Sequence, residues 1–196
     1  TATPEIYTLS LHDALPIWPP LETVRVEYFD GKGATNLVIV GTNCVYDARR
    51  RIAESPGTLR VTSGDGRLDL EGEGFTWWQT NNDLVISNQV RTRVRRPESV
   101  GGVSDPMGGQ DLRVTSDLFR FNYRSNLIVY SGNVRVEDPR VRMSSGWLTI
   151  MPSAEGGIDR MVAEEDVKIV DRSTGGETTA RKAVYQVDGQ RETVEL

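Results

Sequence analysis

The sequence predicts an all-β protein built from stacked antiparallel hairpins, and three observations predict it. The first is internal repetition. Gly74-Phe75-Thr76-Trp77 through Asn88-Gln89-Val90-Arg91 recur without a gap 44 positions later, with Phe75 falling on Phe119, Trp77 on Phe121, Asn82 on Asn126, Val85 on Val129, Ser87 on Ser131, Val90 on Val134 and Arg91 on Arg135. A looser third copy runs from Trp147 to Ile169, and a fourth begins at Thr179, where Ala183 and Tyr185 stand for Phe119 and Phe121. The second is a series of strand-length runs, separated by Gly, Asn, Asp and Ser clusters at spacings of roughly 8–12 residues. The third is the near absence of helical periodicity. A two-strand unit cannot bury its apolar face alone, so repetition points to a stacked or jelly-roll β architecture.

Taken in order, the first convincing run is Val24 to Tyr28, strictly alternating and ended by Asp30-Gly31-Lys32-Gly33. Leu37 to Val40 and Asn43 to Tyr46 follow as two short strands. Asp47 to Glu54 could form a helical turn, stopped by Ser55-Pro56-Gly57. Leu59 to Thr62 and Arg67 to Leu70 read as strands around Ser63-Gly64-Asp65-Gly66. Phe75 to Gln79 and Leu84 to Val94 form a hairpin turning at Thr80 to Asp83. Pro97, Gly101, Gly102, Pro106, Gly108 and Gly109 then mark 97–110 as a loop or linker. Beyond it come Asp117 to Tyr123 with Leu127 to Val136, Met143 to Met151 with Ile158 to Val170, and Thr179 to Val187. Thr193 to Leu196 have strand character with no closing turn, which reads as a truncated C-terminus.

Strand side chains alternate between faces with period two. In the run from Leu84 to Val94, Leu84, Ile86, Val90, Thr92 and Val94 share one face, and Arg91, Arg93 and Arg95 share the other. Ile128, Tyr130, Gly132, Val134 and Val136 form the matching stripe one repeat on. Asn88 and Gly132 interrupt the two stripes at equivalent places, the signature of a bulge or close backbone approach.

Several function classes fall away. The chain has 23 basic and 28 acidic residues, net −5, without the concentrated basic footprint of a nucleic-acid binder. Cys44 is the single cysteine, which excludes an internal disulfide and a multi-cysteine metal site. Tyr7 to Ile17 resemble the translation of a sequencing-adapter oligonucleotide, so 1–17 are set aside as an assembly artefact. His12, the one histidine, goes with them. With no base to activate Cys44, nucleophilic catalysis is disfavoured. Carboxylates among Glu164, Glu165 and Asp166, or Asp65, Asp69, Glu71 and Glu73, lie at turns where acidic residues are ordinary, and the second set fails the calcium-loop pattern. No enzyme activity, cofactor or metal is expected. The stripe Arg91, Arg93, Arg95, Arg96 reads as a solvated sheet face rather than an anion site.

Thr115-Ser116-Asp117 followed by Phe119, Phe121 and Tyr123, then Leu127 through Ser131-Gly132-Asn133-Val134 to Val136, resemble the OstA-like repeat of the lipopolysaccharide export proteins LptA and LptC. Ile158 to Ala163 with Asp166 to Ile169, and Thr179 to Tyr185, resemble it too. Residues 111–196 carry the resemblance best, as an LptA/OstA-like β domain. Residues 18–96 read as an LptC/OstA-like β domain, with the weaker likeness over 22–96. The resemblance implies an open antiparallel β-jelly roll, two sheets facing in a V, with lipopolysaccharide acyl chains between them. It also implies periplasmic transport between inner and outer membranes, and end-to-end strand pairing with other jelly-roll proteins of this kind or with a second copy; whether the natural protein is free in the periplasm or tethered by a lost N-terminal segment is left open by the sequence. The tail-contacting candidates are Phe75, Trp77, Ile86, Val90, Phe119, Phe121, Ile128, Tyr130, Val134, Val136, Trp147, Val167, Ile169 and Tyr185. A rival reading is a structural β-solenoid or adhesin-like repeat without lipid, whose interior would be packed shut.

Overall fold

The computed structural model describes residues 21–29, 33–95, 111–152, 158–188 and 191–195. The adapter-like segment, His12 and the expected 97–110 loop lie outside them. The described residues form twelve strands: β1 (Leu21–Phe29), β2 (Thr35–Asp47), β3 (Ile52–Ser63), β4 (Leu68–Trp78), β5 (Asp83–Val94), β6 (Leu112–Ser116), β7 (Leu118–Asn122), β8 (Leu127–Glu137), β9 (Val141–Pro152), β10 (Ile158–Asp171), β11 (Glu177–Asp188) and β12 (Arg191–Glu195). They make one antiparallel sheet in chain order, with β6 and β7 end to end in one strand position between β5 and β8. The ladder therefore continues from β5 into β6 and β7, past the place where a linker was expected. An Asp83 carboxylate that accepts from Arg120 at 3.0 Å and Asn122 at 2.7 Å reinforces this junction.

The hairpin turns are written in short polar side chains. Asn82 and Asn126, equivalent in the repeat, both take left-handed φ values of 54° and 51°, which asparagine tolerates better than a branched residue. The Asn122 side chain accepts from the amides of Arg124 and Ser125. At Asp47 the expected helical turn is instead a tight β-turn, in which the carboxylate accepts from the amides of Arg49 and Arg50. Nor does Ser55-Pro56-Gly57 end an element. It lies inside β3, at a point where the register skips and no ladder donor is required of Pro56.

That skip is one point on a line. Between neighbouring strands the pairing is interrupted at Gly41/Val45, Ser55/Thr58, Glu71/Glu73, Ser131/Val134 and Glu164/Val167. The break between β6 and β7 falls on the same line. Left-handed residues mark it: Asn43, Gly74, Gln89, Gly132, Asn133, Glu165 and Asp166. Bulges raise local twist and bend strands, and here they crease the whole sheet across its middle. The interruptions expected at Asn88 and Gly132 are two of these bulges.

The crease folds the sheet onto itself. One half presents inward Phe75, Ile86, Phe119, Tyr130, Leu148 and Ala163, and is called here the aromatic half. The other, the aliphatic half, presents Leu59, Val61, Leu70, Val90, Val114, Val134 and Val167. All of these are buried, in a single core cluster. The halves meet closely. A β-carbon on Gly72 would lie 2.5 Å from Ile86 Cγ2 and 3.0 Å from the Asn88 carbonyl oxygen. On the outer side of the crease, one on Gly132, whose φ is +74°, would lie 2.6 Å from a carboxylate oxygen of the exposed Asp117 on the neighbouring strand position. Buried serines satisfy backbone carbonyls along the bend: Ser116 Oγ donates to Leu118 O at 2.8 Å, Ser145 Oγ to Trp147 O at 3.0 Å, and Ser55 Oγ to Thr42 O. Gly72→Val is expected to cost about 1–3 kcal/mol through overpacking, read as a lowered urea midpoint. An unchanged midpoint would show that the halves are not pressed together there.

Candidate functional site

The site follows from how each strand crosses the crease. Strands running in one direction have four-residue spacing between the inward residues flanking the bend: Ser55 and Leu59, Ile86 and Val90, Tyr130 and Val134, Ala163 and Val167 are buried, and the three residues between are not. Strands running in the other direction have three-residue spacing, with a small residue leading: Gly41 and Cys44, Gly72 and Phe75, Ser116 and Phe119, Ser145 and Leu148. Small side chains sit where two β-surfaces converge, and larger ones follow as the gap widens.

Burial grades outward from that line. Ile86 and Val134 are 0% exposed, and Val90, Leu148 and Val167 are 1% exposed, all beside the crease. One step further from it burial is mixed: Val61, Leu70, Thr92, Val114 and Ile150 stay buried, whereas Trp77, Leu84, Phe121, Ile128, Val136, Met143 and Ile169 are half-buried, although they point to the same interior. Of the half-buried set, all but Trp77 pack against the buried cluster. The interior is thus a wedge with an apolar lining on both walls, filled beside the crease and partly uncovered at those seven outer positions.

The wedge holds one polar link between its walls. Tyr130 hydroxyl, on the aromatic half of β8, donates to Thr92 Oγ1, on the aliphatic half of β5, at 2.9 Å. Its ring meets Phe119 edge-on, with centroids 5.3 Å apart. Burial pushes the Tyr130 phenol up to about 12, with the Thr92 bond pulling the other way. Cys44, beside Gly41 at the apex, is buried, and burial raises its thiol; nothing here prepares it as a nucleophile. Among the described residues no cluster of His, Cys, Asp and Glu could hold a metal.

Of the fourteen tail-contacting candidates, thirteen lie on strand faces turned into the wedge. Phe75, Ile86, Val90, Phe119, Tyr130, Val134 and Val167 are at the buried apex, while Trp77, Phe121, Ile128, Val136, Ile169 and Tyr185 are half-buried. Trp147 is the correction. It is 40% exposed, as is Met151, while Leu148 and Ile150 are buried, so Trp147 stands on the outer surface, in register with Ser131 and Glu164. The three-residue crossing of the crease inverts the alternation. Counting by twos from Met143 and Ser145 leads to Trp147, but the inward residue is Leu148. The same inversion hid Leu148 and Ile150 as lining residues; Met143 and Met161 line the wedge too, outside the candidate set. The small-x-x-large spacing from Ser145 to Leu148, already present at Ser116 to Phe119, is the signal that finds Leu148 and Ile150.

Tyr130→Phe is expected to destabilise the fold by about 1–2 kcal/mol by leaving Thr92 unpaired, measured by denaturant titration. The Tyr130 pKa is higher folded than unfolded, so its contribution is complete below about pH 10 and is lost as pH climbs toward about 12. Spectrophotometric titration of the folded protein should show a tyrosine ionising near pH 12 that Tyr130→Phe removes. Ionisation of that residue near pH 10 would contradict its burial.

Comparison with curated proteins finds no match to the chain. Residues 113–196 match the family model described as LptA/(LptD N-terminal domain) LPS transport protein. From β6 onward, then, the chain is similar to this lipopolysaccharide-transport family.

Proposed function

We propose that this protein carries lipopolysaccharide by its acyl chains, which lie in the wedge along the direction in which the strands stack. The observation that carries the reading is the graded exposure of one apolar lining, from 0% at Ile86 and Val134 to the half-buried Phe121, Ile128 and Val136 at the mouth. Each methylene taken from water into such a lining contributes about 0.8 kcal/mol. Half-exposed aromatic and aliphatic side chains on facing walls are therefore a binding surface rather than a finished core. The similarity of residues 113–196 to the lipopolysaccharide-transport family supports the same cargo.

The setting proposed with it is the periplasm, between an inner-membrane source and an outer-membrane acceptor. Among the described residues β1 pairs only with β2, and β12 only with β11. Each leaves a row of backbone donors and acceptors that a strand of the next module, or of a second copy, can complete. No catalytic step is proposed. The solenoid reading is not favoured, because every strand pair is antiparallel.

The test is photo-crosslinking in envelope-bearing cells, with a photoreactive residue at Phe121, Ile128 or Val136, and at Trp147 or Arg93 as outward controls. Lipopolysaccharide adducts are expected at the first three positions and not at the last two. Folded protein with no adduct at any of the three inner positions would remove the lipid-carrier reading.

A further inference from the structure

The outer face of the aliphatic half carries many cations, and ion pairing sorts them. Two of the four arginines in the stripe singled out in the sequence are neutralised: Arg91 pairs with Glu71 at 3.6 Å, and Arg93 with Asp111. Arg60 is likewise held by Asp69 at 2.6 Å. Two strand positions beyond that stripe, on β8, lies a different arrangement. Arg135 on β8 is flanked in register by Thr115 on one side and Ser144 on the other, and Ser144 by Lys168. Arg135 has no ion-pair partner among the described residues. Val134 and Val136 point into the wedge, so Arg135 points away from it, with the sheet between.

Arg135, Arg142, Ser144 and Lys168 line a concavity of about 430 Å³, with Glu137 its one carboxylate. Glu137 is shared by two guanidiniums, Arg142 at 3.5 Å and Arg172 at 3.8 Å. Lys168 is held by Glu177 at 2.8 Å. Three cations against one carboxylate leave an excess of two positive charges, and counting Arg172 and Glu177 leaves that excess the same. This excess stands out in a chain whose net charge is −5. Its size matches a phosphomonoester, which carries about −1.5 to −2 near neutral pH. A planar guanidinium, an ammonium and neighbouring hydroxyls supply the donors that a tetrahedral oxyanion accepts.

We propose that this concavity on the outer face of β8, β9 and β10 binds a phosphomonoester, as a second site separate from the apolar wedge. The group could arrive on a free phosphorylated small molecule or on a lipid headgroup. Two probes separate those sources: glycerol 1-phosphate, and phosphatidylcholine vesicles with and without phosphatidic acid. Binding of each to the full chain is measured at low ionic strength, where exposed charges are least screened. Saturable binding is expected, weakened about tenfold by Arg135→Gln and scarcely changed by Arg93→Gln, whose guanidinium is already paired. Arg135-dependent binding of glycerol 1-phosphate indicates a soluble ligand. Arg135-dependent binding confined to phosphatidic acid vesicles indicates a lipid-borne one. No saturable binding to either probe, or equal weakening by the two substitutions, overturns the proposal. Adducts in the wedge are expected to persist in Arg135→Gln, so the two sites fail independently.

Discussion

Everything in this molecule depends on the bend that its strands make at their midpoints. A flat antiparallel sheet can bury one face only against something else. This sheet buries one face against itself, because a line of bulges running from β2 to β11 lets the strands turn and bring their two halves together. The requirement is local and repeated. A residue must accept a left-handed backbone, as Gln89, Asn133 and Glu165 do, or a small residue must let the walls converge, as Gly72 and Ser145 do.

The bend also explains why the core is graded. Two surfaces hinged along one line are close at the hinge and apart at the edge, so apolar side chains beside the line interdigitate while those further out face a widening gap. Ile86, Val90, Val134 and Val167 form the close-packed part. The Tyr130 to Thr92 hydrogen bond then sets a limit on opening at that depth, since separating the walls would strand two buried hydroxyls. Stability, and the ligand capacity proposed for the wedge, thus draw on the same stripe of residues at different distances from the crease.

Charge is organised on the opposite face by the same pleat. Inward positions are apolar along nearly their whole length, so the cations and carboxylates gather outside, where cross-strand register decides which of them pair. Arg60, Arg91 and Arg93 meet acids on adjoining strands, whereas Arg135 meets hydroxyls. Composition alone cannot distinguish these two cases.

Much was legible in the sequence. Repetition of Phe75, Trp77, Asn82 and Val90 at Phe119, Phe121, Asn126 and Val134 established an all-β stack, its turns and most of its lining, because period-two alternation and turn residues are local properties of the chain. Asn88 and Gly132 even marked two points of the crease. The tertiary structure alone decided what those points add up to. In β5, β8 and β10 the crossing spans four residues and preserves alternation, so faces counted by twos came out correctly. In β9 it spans three and inverts alternation, which placed Trp147 outside and Leu148 within. The fold also merged pieces that read as separate: Leu37 to Val40 and Asn43 to Tyr46 are one bent strand, and Pro56 sits inside another. A bulge is defined by what lies across from it, and the partner strand's register is not written in the strand that bends.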